Sequence, residues 1–236
     1  MRLAVIVPVY NEEAVIERNL EVILQYTRSL PTPTLLVAVN DGSRDRTPSR
    51  LQQVAARHPS ELFHAISYDQ NRGYGGAIKT GAAYAIATGC DYLVFMDSDL
   101  TDHPRYLTIF YEKMMEGWDY IKTTRHIPEG GYEAVPWKRR VISSVGCAVV
   151  RGMTGLPLTD LANGFRAIRA SLFAQLQLRE DGFAIIMEEL AQVRRITRRY
   201  CEIPRVQGVR DADARPSAFT YDPKTFWRYL KYFVRP

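Results

Sequence analysis

No apolar run in these 236 residues approaches the ~20 that a membrane-crossing helix requires. Cysteine is scarce. Cys90, Cys147 and Cys201 are scattered, odd in number and without metal-ligand spacing, which excludes a disulfide framework and points to packing roles in a reducing compartment. The four histidines, His58, His64, His103 and His126, show neither triad nor zinc spacing, and only His103, beside Pro104, adjoins candidate chemistry. Repeats, low-complexity tracts and linkers are lacking, so one domain is expected. Met1–Pro8 turns polar too quickly for a secretory leader and is expected to be a first core strand.

Basic residues gather in the second half of the chain. About 20 of the 31 Lys and Arg lie after Trp118, against about 12 acids. A basic half of this kind suits a phosphorylated substrate, anionic lipid or nucleic acid.

What is present is alternation. Val5–Tyr10 reads as a strand, with Asn11 as N-cap of a helix running to about Tyr26. Leu35–Val39, Phe63–Tyr68 and the run from Tyr92 toward Asp99 read as further strands. Helices over Thr47–His58 and Tyr74–Thr88 separate them. Strand-helix alternation predicts an α/β fold with a mostly parallel, Rossmann-like central sheet flanked by helices. Beyond Trp118 the pattern loosens: a strand at Tyr120–Thr123, a loop at Pro128–Gly131, helices over Pro136–Thr154 and Gly182–Arg199, and an edge strand at Cys201–Pro204.

Asn11, Asp41, Asn71 and Asp97 stand at the carboxyl ends of the strands, where open α/β sheets bind ligands. Asp97 and Asp99, two apart, point the same way if the extended geometry persists. Two such anions call for a cation, and a hard divalent ion on phosphate oxygens meets that need. The segment Gly73-Tyr74-Gly75-Gly76-Ala77-Ile78-Lys79-Thr80 is not a Walker A loop, because Ile78 stands where a glycine must precede the lysine. It is not a dinucleotide fingerprint either, because it follows the third strand rather than the first.

Seven blocks then fall in order: Val7-Pro8-Val9-Tyr10-Asn11-Glu12; Asn40-Asp41-Gly42-Ser43 with Asp45 and Thr47; Asn71-Arg72-Gly73; Asp97-Ser98-Asp99-Leu100 with His103-Pro104; Arg139-Arg140 with Ser143; Asp160 with Asn163-Gly164-Phe165-Arg166; and Glu202-Ile203-Pro204 with Arg210. With these the chain resembles family 2 glycosyltransferases of the GT-A fold, and more narrowly the polyprenyl-phosphate, dolichyl-phosphate mannose synthase-like branch. The resemblance implies one GT-A domain over residues 1–220, with a nucleotide-sugar half (1–118), an acceptor half (119–220) and an amphipathic tail (221–236). It implies nucleotide contacts from Pro8, Tyr10, Glu12 and Asp41, with Lys79, Asp97 and Ser98 counted beside them. Asp97 and Asp99 are expected to hold Mg2+ or Mn2+ on the donor diphosphate, with Thr101 at the third position of that shell. Arg125, Arg139 and Ser143 are expected to hold the acceptor phosphate, and Arg210 to reach the phosphates from a carboxyl-terminal loop. Asn40, Thr101, Asn163 and the Ala214–Ala218 stretch, where Arg215 stands in for a lysine, depart from the family pattern.

The implied activity is inverting, metal-dependent transfer from a GDP- or UDP-sugar to a polyprenyl phosphate. A phosphate acceptor is already anionic and needs no general base. A hydroxyl acceptor, the first alternative, would need one, with Asp160 or Glu188 as candidates. The second alternative is a non-catalytic nucleotide-sugar or nucleic-acid binder; nucleic acid is not the expected partner. Aromatics and cations at Phe226–Phe233 and the Val141–Met153 helix suggest peripheral attachment to the cytoplasmic face of a membrane, alone or through a membrane-anchoring partner protein.

Overall fold

The first strand, β1 (Leu3–Val9), is apolar on both sides and almost wholly buried, a pattern stable only between two covering layers. The computed structural model describes residues 1–133, 137–214 and 223–234. After β1 come α1 (Ile16–Ser29), β2 (Thr34–Asp41), α2 (Thr47–Arg57), β3 (Phe63–Tyr68), α3 (Gly73–Ala87) and β4 (Tyr92–Phe95). A short 3-10 turn at Pro104–Tyr106 leads to α4 (Leu107–Met115), β5 (Tyr120–Thr124), β6 (Gly131–Tyr132) and α5 (Trp137–Thr154). The described chain closes with β7 (Arg166–Arg169), α6 (Ala170–Phe173), α7 (Ile185–Ile196), β8 (Tyr200–Pro204), β9 (Val206–Gln207) and α8 (Pro223–Val234).

Seven strands form one sheet in the order β3-β2-β1-β4-β7-β5-β8. All neighbours are parallel except β7, which runs antiparallel between β4 and β5. The expected halves therefore share one sheet, since β7 of the second half pairs directly with β4 of the first. β8 is the edge strand, as its Pro204 suggested. Period-2 alternation divides the core. Ala4, Ile6, Val37, Leu93 and Phe95 face the layer containing α3, α5 and α7. Leu3, Val5, Val7, Leu36 and Val94 face the one containing α1, α2 and α4.

Two expectations need correction, and one loop proves to be tied into a strand pair. The helix after β1 begins at Ile16 rather than at Asn11. Asn11 has φ of 53° and is stitched to the next loop instead: its N–H donates to Ser43 Oγ at 2.9 Å, and its Oδ1 accepts from the Arg44 N–H at 2.8 Å. β4 ends at Phe95, with one further rung from the Met96 N–H to Ile6 O at 3.2 Å. Asp97 and Asp99 therefore lie on a turn, not on an extended strand, and strand alternation does not account for their proximity. The Pro128–Gly131 loop is anchored at its end, because Gly131 and Tyr132 pair in parallel with Val206 and Gln207.

Candidate active site

The carboxyl ends of β1, β2 and β4 bring the first half's polar residues together. Pro8 and Tyr10 are half-buried at the end of β1, and Glu12 is buried just beyond. The Glu12 N–H donates to Thr47 Oγ1 at 2.9 Å, and the Glu13 N–H to Asp45 Oδ2 at 3.2 Å. Asp41, buried at the last position of β2, accepts the Arg72 N–H at 2.7 Å, while its carbonyl accepts Asn71 Nδ2 at 3.0 Å. This docking needs Gly42, at φ of 67°, since a Cβ there would lie 2.5 Å from the Asn71 nitrogen. Lys79 turns to Asp181, 2.7 Å away.

The acidic turn is the electrostatic centre. Asp97 is half-buried, whereas Ser98 and Asp99 are buried. The Ser98 carbonyl accepts Asn19 Nδ2 from α1 at 2.9 Å. Asp99 Oδ1 accepts both the Thr101 N–H at 3.0 Å and the Thr101 hydroxyl at 2.8 Å. Thr101, expected to offer its oxygen to an ion, thus donates to the carboxylate beside it. Asp99 Oδ2 has no hydrogen-bond donor and is ion-paired with Arg210. Burial, and then the Asp99 carboxylate, push Asp97 up to about 6, against the pull of Arg210, Arg205 and Arg166. Arg205 is itself buried and paired with Asp102. Two neighbouring carboxylates, one raised by the other and one with a buried oxygen met by Arg210 alone, fit the hard, all-oxygen donor set of Mg2+ or Mn2+.

On the other side of β7, Arg125 follows β5 and grips Asp160 with two bonds: Nε to Oδ2 at 2.5 Å and a terminal nitrogen to Oδ1 at 2.8 Å. Its other terminal nitrogen donates to Gln207 Oε1 at 2.9 Å, and the guanidinium lies 5.0 Å from the Tyr132 ring centroid. Asp160 is fully buried; burial pushes its carboxyl up, but Arg125 outweighs this and holds it below the usual range. Glu202 shapes the turn, accepting the Thr159 and Asp160 N–H groups at 2.7 and 3.0 Å. Arg139 and Ser143 fall on α5, and their side chains lie outside the described residues, as does Arg215. Glu188, on α7, accepts the Arg179 and Glu180 N–H groups at 2.9 and 2.8 Å. Both candidate bases are thus committed to other donors.

Several further residues take roles that the sequence did not assign them. Arg166 is fully buried and bonds Glu189 of α7 through two 2.6 Å contacts. Gly164, just before β7, packs tightly in front of Asp97: a Cβ there would lie 3.0 Å from Tyr74 Oη and 3.8 Å from Asp97 Oδ1. Lys122 is buried within β5, donates to the Asn163 carbonyl at 2.7 Å, and is pushed down to about 8 by burial and then by Arg166. His126 sits beside Arg125, where its ring nitrogen, the Cys147 thiol and the Asp160 carboxylate come within 4.8 Å of one another. That mixed set is softer than the oxygen shell of Mg2+ or Mn2+, and its carboxylate already carries Arg125.

The model for glycosyl transferase family 2 matches residues 4–177. An undecaprenyl-phosphate mannosyltransferase of Micrococcus luteus is 31% identical over 207 residues, covering 86% of this chain and 82% of that protein. A dolichol-phosphate mannosyltransferase of Pyrococcus furiosus is 29% identical across all of this chain, which spans 63% of its length. Among solved structures, glucosyl-3-phosphoglycerate synthase of Mycobacterium tuberculosis, in complex with Mn2+, UDP-glucose and phosphoglyceric acid, aligns over 100% of this chain and 80% of that one, with a TM-score of 0.71 and 19% identity. That likeness is one of fold.

Proposed function

The chain belongs to glycosyl transferase family 2, and from that premise we propose that it moves a glycosyl group from a nucleotide-sugar to the phosphate of a polyprenyl phosphate. It is a glycosyltransferase of GT-A fold. The observation that carries the choice of acceptor is the state of the candidate bases. Asp160 is held in both oxygens by Arg125, and Glu188 is held by backbone N–H groups. A hydroxyl acceptor needs a free base, whereas a phosphate needs cations that aim it. Arg125 is such a cation, fixed by Asp160 and Gln207.

On this reading Pro8, Tyr10, Glu12 and Asp41 receive the nucleotide, while Asp97 and Asp99 hold Mg2+ or Mn2+. That ion, when bound, neutralises charge developing on the diphosphate. Arg210, already drawn to Asp99, is placed to stabilise the same leaving group. Arg125, with Arg139 and Ser143 on α5, holds the acceptor so that a phosphate oxygen meets the anomeric carbon opposite the departing diphosphate. One C–O bond forms as the other breaks, and an α-linked donor gives a β-linked product. No helix among the described residues is long and apolar enough to cross a membrane. The face carrying exposed Trp137, Val141, Val145 and Trp227 supports peripheral contact with the lipid that bears the acceptor, alone or with a membrane-anchoring partner.

The test is a transfer screen of GDP- and UDP-sugars with Mg2+ or Mn2+, offering a short polyprenyl phosphate or its alcohol. Transfer to the phosphate is expected, with EDTA or Asp99→Ala lowering turnover at least roughly 100-fold. Turnover unchanged by either would remove the metal assignment. Transfer only to hydroxyls would overturn the acceptor class.

A further inference from the structure

His126 is the one histidine that the structure, but not the sequence, draws into the site. It follows Arg125 directly, and its main-chain N–H donates to Thr124 Oγ1 at 3.1 Å. Its Nε2 is buried and has no hydrogen-bond partner among the described residues; the nearest carboxylate oxygen, Asp160 Oδ2, is 4.0 Å away and already receives Arg125 Nε at 2.5 Å. A buried ring nitrogen without a partner is costly, and it persists where a ligand completes it. The ring's other nitrogen, Nδ1, lies 3.4 Å from the hydroxyl of Ser144, which is exposed on α5. A hydroxyl can donate to Nδ1 or accept from it, so the same geometry serves both protonation states, with a route to solvent.

Resting on the phosphate-acceptor reading above, we propose that His126 is a second phosphate ligand of the acceptor site: Nε2–H donates to a non-bridging oxygen of the incoming phosphate, and Nδ1 takes up one proton from solvent as it binds. The charged groups around the imidazole set the direction. Asp160 and Glu202 favour its charged form, Arg125 opposes it, and burial, the largest influence, holds it below the ordinary range. Cys147 faces it from α5. Tyr132 lies 6.0 Å away, ring to ring, and Arg140 reaches over that same tyrosine at 5.3 Å. The free site therefore keeps the imidazole neutral near pH 7. A phosphate dianion beside it reverses the balance, so binding consumes a proton and weakens as pH rises.

Citronellyl phosphate, titrated calorimetrically at pH 7.5 in buffers of low and high ionisation heat, reads the proton directly. Wild type is expected to take up most of one proton more than His126→Gln, which keeps a donor but cannot titrate. The KM for this acceptor should rise about 10-fold from pH 6.5 to 8.5 in wild type relative to His126→Gln, with kcat little changed, the span of a charge-assisted hydrogen bond. Histidine NMR on wild type alone gives a variant-free check: the His126 titration should move to higher pH when the phosphate is added. Equal proton uptake and parallel pH profiles in His126→Gln, or an unmoved His126 resonance, would overturn the role of His126 and leave the acceptor class standing. If wild type binds citronellol but not citronellyl phosphate, the acceptor class itself falls, and this inference with it.

Discussion

Arg166 keeps a full positive charge with no access to solvent. Both of its outer bonds go to Glu189 at 2.6 Å, NH1 donates to the Gly164 carbonyl at 2.8 Å, and the guanidinium packs 4.5 Å from the Phe95 ring centroid. Burial opposes the charge, but Glu189 holds it firmly protonated. A pair of this kind contributes little net stability while intact, yet losing one partner strands the other. Glu189→Gln should therefore destabilise the fold by about 3–5 kcal/mol, whereas Arg166→Met with Glu189→Leu should stay much nearer wild type. Urea unfolding of both variants checks this, and a Glu189→Gln protein as stable as wild type would mean that the pair is not desolvated. The residue scale is also where sequence reading was most uneven. Asp97 and Asp99 were legible because they end an apolar run. Glu189 was not, because nothing in a helix sequence announces a partner 23 positions back. Arg210 came from the family pattern, and its pairing with Asp99 became visible only in three dimensions.

Helix α3 depends on what it lacks. Gly81 faces β1 and β2, and a Cβ there would stand 2.5 Å from Ile6 Cγ2 and 3.1 Å from Val39 Cγ2. The helix lies that close to the sheet only because the side chain is missing. Gly152, on α5, would meet nothing within 4 Å. Gly81→Ala should lose stability, since overpacking of about 1–3 kcal/mol exceeds the gain of up to about 1 kcal/mol in helix propensity. Gly152→Ala should gain roughly 0.5–1 kcal/mol from propensity alone. Thermal melts of the two variants should shift in opposite directions; a shift of the same sign would show that propensity, not packing, governs α3. Element by element, local signals carried far. β3 keeps the bounds Phe63–Tyr68 read from its composition, and β8 takes the edge that Pro204 implied. β7 was missed because Arg166-Ala167-Ile168-Arg169 is short and ends in cations at both sides; its burial rests on Glu189, which belongs to another element. α7 is shorter than its sequence pattern because the chain is extended again at Thr197, with φ of −129°.

At the scale of the molecule, the basic half and the apolar surface coincide. Trp137, Val141 and Val145 recur at intervals of four along α5 and are exposed, as is Trp227 on α8. The two helices touch each other. Arg140, Arg151, Arg228 and Lys231 are exposed on the same two helices. An apolar stripe flanked by cations binds an anionic lipid surface through two terms with different signatures. Burial of aromatic area is insensitive to salt, while each Lys or Arg near the surface adds on the order of 1 kcal/mol that salt screens. The protein should therefore co-sediment with vesicles containing phosphatidylglycerol more strongly than with neutral ones, with a blue shift of tryptophan emission. Raising salt from about 0.05 to 0.5 M should abolish most of that preference but leave a residue of neutral-vesicle binding. Trp137→Ala and Trp227→Ala should each remove roughly 10-fold of the salt-resistant part, in line with about 1.5 kcal/mol for an aromatic side chain withdrawn from water. Arg151→Gln with Arg228→Gln should instead flatten the salt dependence, since Lys231 is already paired with Glu180. Vesicle binding that ignores both tryptophans, or a salt response unaltered by the charge variant, would mean that the lipid lies against another face.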